Sequence, residues 1–173
     1  MSRKKQEELT FDKASDTLFH FLLTDLPAVI THEDSRNLML NCNTMWLPGA
    51  SLGVTRINWQ GGFINTPSND ISFPTIQIIF LVDEHLNNWK TLYNWIMFMH
   101  NNKNKFAVAF DEPTVTGTLL YRNNWLNKTV VEVEYWKLWI TELGSIQLTN
   151  KTDGSQYLEA QATFTFDRAE IKE

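Results

Sequence analysis

Gly49-Ala50-Ser51-Leu52-Gly53 places a serine between two glycines at the spacing of a nucleophile elbow. That chemistry needs a strand, a strained turn presenting the hydroxyl, and then a helix whose N-terminus supports an oxyanion. A β-like run precedes Ser51. After it, Val54 to Trp59 is again β-like and runs into Gly61-Gly62. No helix follows, and no βαβ alternation surrounds the motif. The expectation is a turn shaped by Pro48, Gly49 and Gly53, with a hydrolase using Ser51 as the remote alternative.

Other chemical groupings are weaker. Asp83, Glu84 and His85 are consecutive, and consecutive helical residues point in different directions, so they do not converge on an ion. His20, His32 and His100 are far apart without ligand spacing. Glu132 and Glu134 lie two apart, on one face of a strand. A carboxylate pair there lacks a separate acid-base partner, and a solvated strand face is the simpler account. The seven Trp and eleven Phe could build a stacking platform for a ligand. Core packing plus subunit contact explains them more economically. The sequence implies no enzyme, metal or cofactor.

The chain has 173 residues, the size of one ordinary domain, and 43% of them are hydrophobic. Its net charge of −5 argues against sequence-independent nucleic-acid binding, which needs clustered Lys and Arg. The single Cys42 excludes an intramolecular disulfide, and nothing points to secretion. No apolar run approaches the ~20 residues of a membrane helix.

The elements follow from periodicity. Ile76, Ile78 and Phe80 alternate in a run rich in β-branched and aromatic residues, which predicts a well-buried strand. At Asp83 the period changes. Leu86, Trp89, Tyr93 and Ile96, widened by Leu92 and Met99, predict one principal amphipathic helix over about 83–101, with Asp83 as N-cap and Asn101, Asn102 and Asn104 ending it. Strands are expected at 17–23, 38–45, 105–110, 115–121 and 130–138, with a short one at 144–148. Residues 157–167 alternate Leu158, Ala160, Ala162, Phe164 and Phe166 against polar neighbours, a long antiparallel strand with one buried face. Residues 1–16 read as a mobile arm, 17–168 as the β domain and 169–173 as a tail. Residues 46–70 read as a long polar and aromatic loop, with at most one short strand at 54–59. Loops of that length in compact domains are functional or meet a partner.

The order of these pieces resembles a known family. A cysteine-containing segment (Asn41-Cys42-Asn43) leads to Leu47-Pro48-Gly49, a long loop with Asn58, a central strand, Val82-Asp83-Glu84, a helix carrying Trp89 and Trp95, then Trp139, Leu143-Gly144 and a terminal strand. This is similar to the tail tube proteins of contractile-tailed bacteriophages, which share a fold with type VI secretion tube proteins. The resemblance implies a mainly β fold, an antiparallel barrel or sandwich with one helix packed on it. It also implies a structural subunit forming stacked six-membered rings around a channel that passes DNA without binding it. The alternatives are a tube-initiating ring of the baseplate, a tube-terminating ring of the same fold, or more remotely a monomeric aromatic-rich binding module. Implied partners are the chain itself, tail sheath and baseplate proteins, and DNA, with no membrane. The implied location is the phage tail, assembled in the host cytoplasm.

Two sets of site residues follow. Trp46, Leu47, Pro48, Gly49, Arg56, Trp59 and Phe63, in the aromatic and sparsely charged loop, are candidates for contact with a neighbouring subunit. Glu132 and Glu134, with Gln161, Thr163, Thr165 and Asp167, are candidates for the channel lining. An acidic or neutral wall avoids the counterion release that would hold DNA.

Overall fold

The computed structural model of the chain describes residues 19–27, 30–106, 114–122, 129–148 and 157–172. The expected arm at 1–16 and the turn at 150–154 lie outside them, as does most of the strand expected at 105–110. Nine strands and two helices are described: β1 (Phe19–Thr24), α1 (His32–Asn41), β2 (Cys42–Trp46), β3 (Ser51–Trp59), β4 (Gly62–Ser72), β5 (Ile76–Leu81), α2 (Asn87–Phe106), β6 (Val115–Arg122), β7 (Thr129–Leu143), β8 (Glu159–Thr165) and β9 (Arg168–Lys172). Seven strands form one antiparallel sheet, in the order β1-β6-β7-β8-β5-β2, with β9 also paired to β7. β3 and β4 form a separate two-stranded sheet.

The alternation in β5 and β8 puts Ile76, Ile78, Phe80, Ala160, Ala162 and Phe164 in the core, as periodicity requires. The sheet wraps around this core. Phe21 of β1 and Phe164 of β8 are three strand spacings apart, about 14 Å in a flat sheet. Their ring centroids are nevertheless only 6.1 Å apart.

β7 is the hinge of the curl. Val133 and Tyr135 are buried before its midpoint, Leu138 and Ile140 after it, so the inward parity changes there, and a second bulge at Thr141 changes it back, turning Leu143 inward. The first change falls at Lys137, whose φ of 53° marks a bulge. Opposite it the chain turns at Asp167, whose N–H donates to the Trp136 carbonyl at 3.0 Å. β9 and β8 therefore accompany β7 from Glu132 to Leu143, and residues 169–172, expected as part of a tail, belong to a paired strand. The segment 144–148, expected as a short strand, is irregular. Gly144 comes so close to β8 that a Cβ would lie 3.1 Å from the Gln161 carbonyl oxygen.

The helix count is corrected from one to two. Residues 38–45 read as a strand because Leu38, Leu40 and Cys42 alternate. Thr31 and Asp34 form a reciprocal capping box that starts α1 instead, so 38–41 are helical and only 42–45 of that run are strand, in β2. Two residues apart on a helix are far round its circumference, so Leu38 is buried and Leu40 is exposed. Ser35 donates its hydroxyl to the Leu23 carbonyl at 2.8 Å, which ties α1 to the outer edge of β1.

α2 begins and ends later than expected. Leu86 has a φ of 58°, outside the helical region. Asp83 still accepts from the Asn87 N–H, at 2.6 Å, but across a turn. The decisive residue is Asn88. Buried at the helix start, it donates to the Leu81 carbonyl at 2.7 Å and accepts from the Asp83 N–H at 3.3 Å. The helix continues through Asn101, Asn102 and Asn104, because asparagine keeps its N–H and only modestly disfavours helix. Its inner stripe is Asn88, Leu92 and Trp95, flanked by Trp89, Ile96 and Met99. Tyr93, expected on the sheet, is exposed and stacked on Trp89 at 5.4 Å.

Candidate assembly surfaces

The expected loop at 46–70 is a β-hairpin that stands away from the core. β3 and β4 pair from Ser51↔Ser72 to Trp59↔Gly62. The turn is Gln60-Gly61, with φ of 43° and 85°, the pair of positive values of a two-residue type I′ connection. No residue of either strand is buried. Across from Gly53 the β4 strand carries three residues, Ser68, Asn69 and Asp70, so the ribbon is irregular near its root.

Both faces of the ribbon carry apolar groups. Register puts Thr55, Ile57, Trp59, Ile64 and Thr66 on one face. Val54, Arg56, Asn58, Phe63, Asn65 and Pro67 are on the other, where the Arg56 guanidinium sits 5.9 Å from the Phe63 ring centroid. An isolated two-stranded ribbon is marginal in water, so one dressed with Ile, Trp and Phe needs a cover.

The seven interface candidates separate into two groups. Trp46, Leu47, Pro48 and Gly49 lie at the root, where β2 passes into β3. Arg56, Trp59 and Phe63 lie toward the tip, with Trp59 on the face opposite the other two. At the root, Gly49, Ala50, Ser51, Ser72, Phe73 and Pro74 line a shallow open cavity of about 360 Å³. Phe73 anchors its floor by packing on Phe166 at 5.4 Å. Ser51 has no base beside it among the described residues. Its hydroxyl is 2.7 Å from that of Ser72, and a strand rather than a helix follows it.

The second surface is the sheet face turned away from the core. Because β7 changes parity at Lys137, Glu132 and Glu134 share this face with Thr163 and Thr165. Asp167 follows them at the turn into β9. The six candidates differ in access. Gln161 and Asp167 are exposed, while Glu132, Glu134 and Thr165 are half-buried. Thr163 is buried, a correction to its expected openness; it lies between Gln77 and Glu142 in the centre of the sheet. Glu134 is paired with Lys172 at 2.8 Å, a partner that sequence reasoning missed by treating β9 as a tail. The hydrogen bond to Glu134 raises the Lys172 pKa above the ordinary lysine value. Arg168 lies 5.5 Å from the Trp136 ring centroid on the same strand pair.

Two further groups are tuned by burial. Cys42 has its thiol pushed up to about 12 from 9.0 by loss of solvent. Tyr135 is raised for the same reason, and its hydroxyl has no hydrogen-bond partner among the described residues. Among those residues no three His, Cys, Asp or Glu side chains are placed to hold a metal ion.

Comparison with known proteins supplies the identity of the fold. The family model described as phage tail tube protein matches residues 9–171. The chain belongs to the phage tail tube protein family. A curated relative, the tail tube terminator protein of Enterobacteria phage T4, is 21% identical over 157 residues, spanning 86% of this chain and 87% of that one. The tube-terminating cap of the anti-feeding prophage superposes with a TM-score of 0.66 at 14% identity, covering 99% of both chains. The sheath/tube terminator structure of an extracellular contractile injection system gives 0.64 at 13% identity, over 95% of this chain and 99% of that one. The family is structural, and the chain is a structural protein and not an enzyme.

Proposed function

We propose that this chain forms the ring that terminates a tail tube, in preference to the repeating subunit of the tube. The observation that carries the reading is the likeness to the T4 tail tube terminator over nearly the full length of both chains. The two terminator folds, each matched over most of its length, support it. In this reading the subunit is one of six in a ring that stacks on the last tube ring and meets the sheath there. Its channel passes DNA without holding it, and the ring is added in the host cytoplasm before the tail enters the virion.

The hairpin is the assembly element. A ribbon with apolar groups on both faces suits a segment that lies between two neighbours, and a ring supplies them. The polar face with Glu132, Glu134, Gln161, Thr165 and Asp167 suits the channel wall, where excess negative charge keeps DNA mobile.

The test is to add the labelled chain to a growing tube of the cognate repeating subunit. A terminator stops elongation and labels one end. A repeating subunit labels the tube along its whole length, and that result would contradict the proposal.

A further inference from the structure

The outward face of α2 differs in charge from the chain around it. The net charge is −5, yet α2 carries Lys90, Lys103, Lys105 and His100 and no Asp or Glu. At about 100° per residue, Lys90, Tyr93, Met97 and His100 come out on the side opposite Leu92 and Trp95. All four are exposed, Tyr93 at 45% and Met97 at 38%. Tyr93 is a fixed platform. Its ring stacks on that of Trp89 with 5.4 Å between centroids, and the Trp89 indole N–H is tied to the Gly144 carbonyl. The Lys90 ammonium donates to the His85 carbonyl at 2.9 Å, and no described carboxylate pairs with it. A rigid aromatic beside a methionine and a lysine suits an apolar segment that bears carboxylates.

Such a segment is present in the chain itself. Eighteen residues precede Phe19, and within them Glu7-Glu8-Leu9-Thr10-Phe11-Asp12 joins three carboxylates to two apolar residues. We propose that this segment seats on the α2 face of its own chain, with Leu9 and Phe11 on Tyr93 and Met97 and with Glu7 at Lys90. Alternate residues of an extended segment share one side at a spacing of about 6.8 Å, and residues four apart on a helix are about 6 Å apart along its axis, so the two pairs match. The basic head Arg3-Lys4-Lys5 would be repelled by the same face, which singles out 7–12 as the occupant. The reach suffices. β1 and α2 meet in the core, where the Phe164 ring lies 6.1 Å from that of Phe21 and 6.1 Å from that of Trp95. The eight residues from Phe11 to Phe19 extend to roughly 27 Å, more than twice the thickness of a helix, about 10–12 Å. A short tether also gives the chain's own segment an effective concentration on the order of millimolar, which favours it over that of a second copy. The contact stands without the ring reading.

Two measurements on the full-length chain test it. Met97 should be oxidised by dilute peroxide severalfold more slowly in the unaltered chain than in Leu9→Asp with Phe11→Asp, read by mass spectrometry; both substitutions lie outside the described domain and leave its fold alone. In the second, Cys42 is replaced by Ala, and Thr10→Cys is combined with Asn94→Cys. Mild oxidation should close a disulfide within one chain, seen as a monomer on a non-reducing gel that is lighter by two hydrogens. Lys90→Glu should slow its formation about threefold or more, and adding Glu7→Lys should restore the rate. Circular dichroism establishes that each variant is folded. Covalent dimers in place of the closed monomer would seat the segment on a second copy and overturn the assignment. Equal oxidation of Met97 in both chains would leave α2 open to another protein and overturn it as well.

Discussion

Lys172, on the last described strand, places its Nζ 2.8 Å from Oε2 of Glu134, two residues along from its own cross-strand neighbour Glu132. The pair joins β9 to the face proposed as the channel wall and offsets the like-charge opposition of Glu134 and Glu170. Glu132 and Glu134 are thus not equivalent.

Replacing both by Lys should leave rings assembling and slow DNA transit, more so at low salt, where electrostatics are less screened. Glu132→Lys alone should give most of the slowing. Glu134→Lys additionally sets two lysines together and should loosen β9, seen as faster amide exchange over 168–172. Wild-type transit rates in the double variant would remove these residues from the wall.

The helix–sheet contact depends on Trp95 more than on Trp89. Trp95 is fully buried, with its ring 6.1 Å from that of Phe164. Trp95→Ala should cost roughly 3–5 kcal/mol. Trp89 is half-buried and donates its indole N–H to the Gly144 carbonyl at 3.2 Å. Trp89→Phe keeps an aromatic ring there and should cost about 1 kcal/mol, near the worth of that hydrogen bond. Urea denaturation measures both.

Tyr135 carries a buried hydroxyl without a partner among the described residues. Leaving a polar group unsatisfied in the core is costly, so removing it is favourable. Tyr135→Phe should be neutral or stabilising, by up to about 1 kcal/mol. A loss of several degrees in Tm would show that the hydroxyl has a partner.

Alkaline pH should weaken the fold from about pH 9 upward. The folded Cys42 thiol titrates near 12 and the unfolded one near 9.0, so between those values the folded chain holds a proton that the unfolded chain releases. Stability is complete below 9 and declines through that window. Tyr135 and Lys172, both raised, act in the same direction at higher pH. Cys42→Ala should flatten the early part of the decline in Tm, and a thiol reagent at pH 8 should modify the native chain far more slowly than the unfolded one.

Legibility in the sequence followed burial. β5 and β8 are read from alternation because one face of each is packed, and Trp89, Leu92 and Ile96 mark α2 for the same reason. The hairpin is nearly silent because nothing among the described residues covers it. Both its faces mix apolar with polar residues, Pro67 interrupts the pattern, and Gln60-Gly61 is not the usual Asn-Gly signal. α1 is missed because Leu38, Leu40 and Cys42 alternate by chance, while the Thr31–Asp34 capping box that starts it lies upstream of that run. The interface candidates were chosen for the aromatic excess of their segment. Their division between root and tip needed the strand register.

Negative-stain electron microscopy of the purified full-length chain at high concentration tests the central claim most directly. A tube terminator should give rings of one size, single or in short limited stacks, that do not lengthen with concentration. Rods of indefinite length would make the chain the repeating subunit, and small discrete monomers would contradict ring assembly altogether.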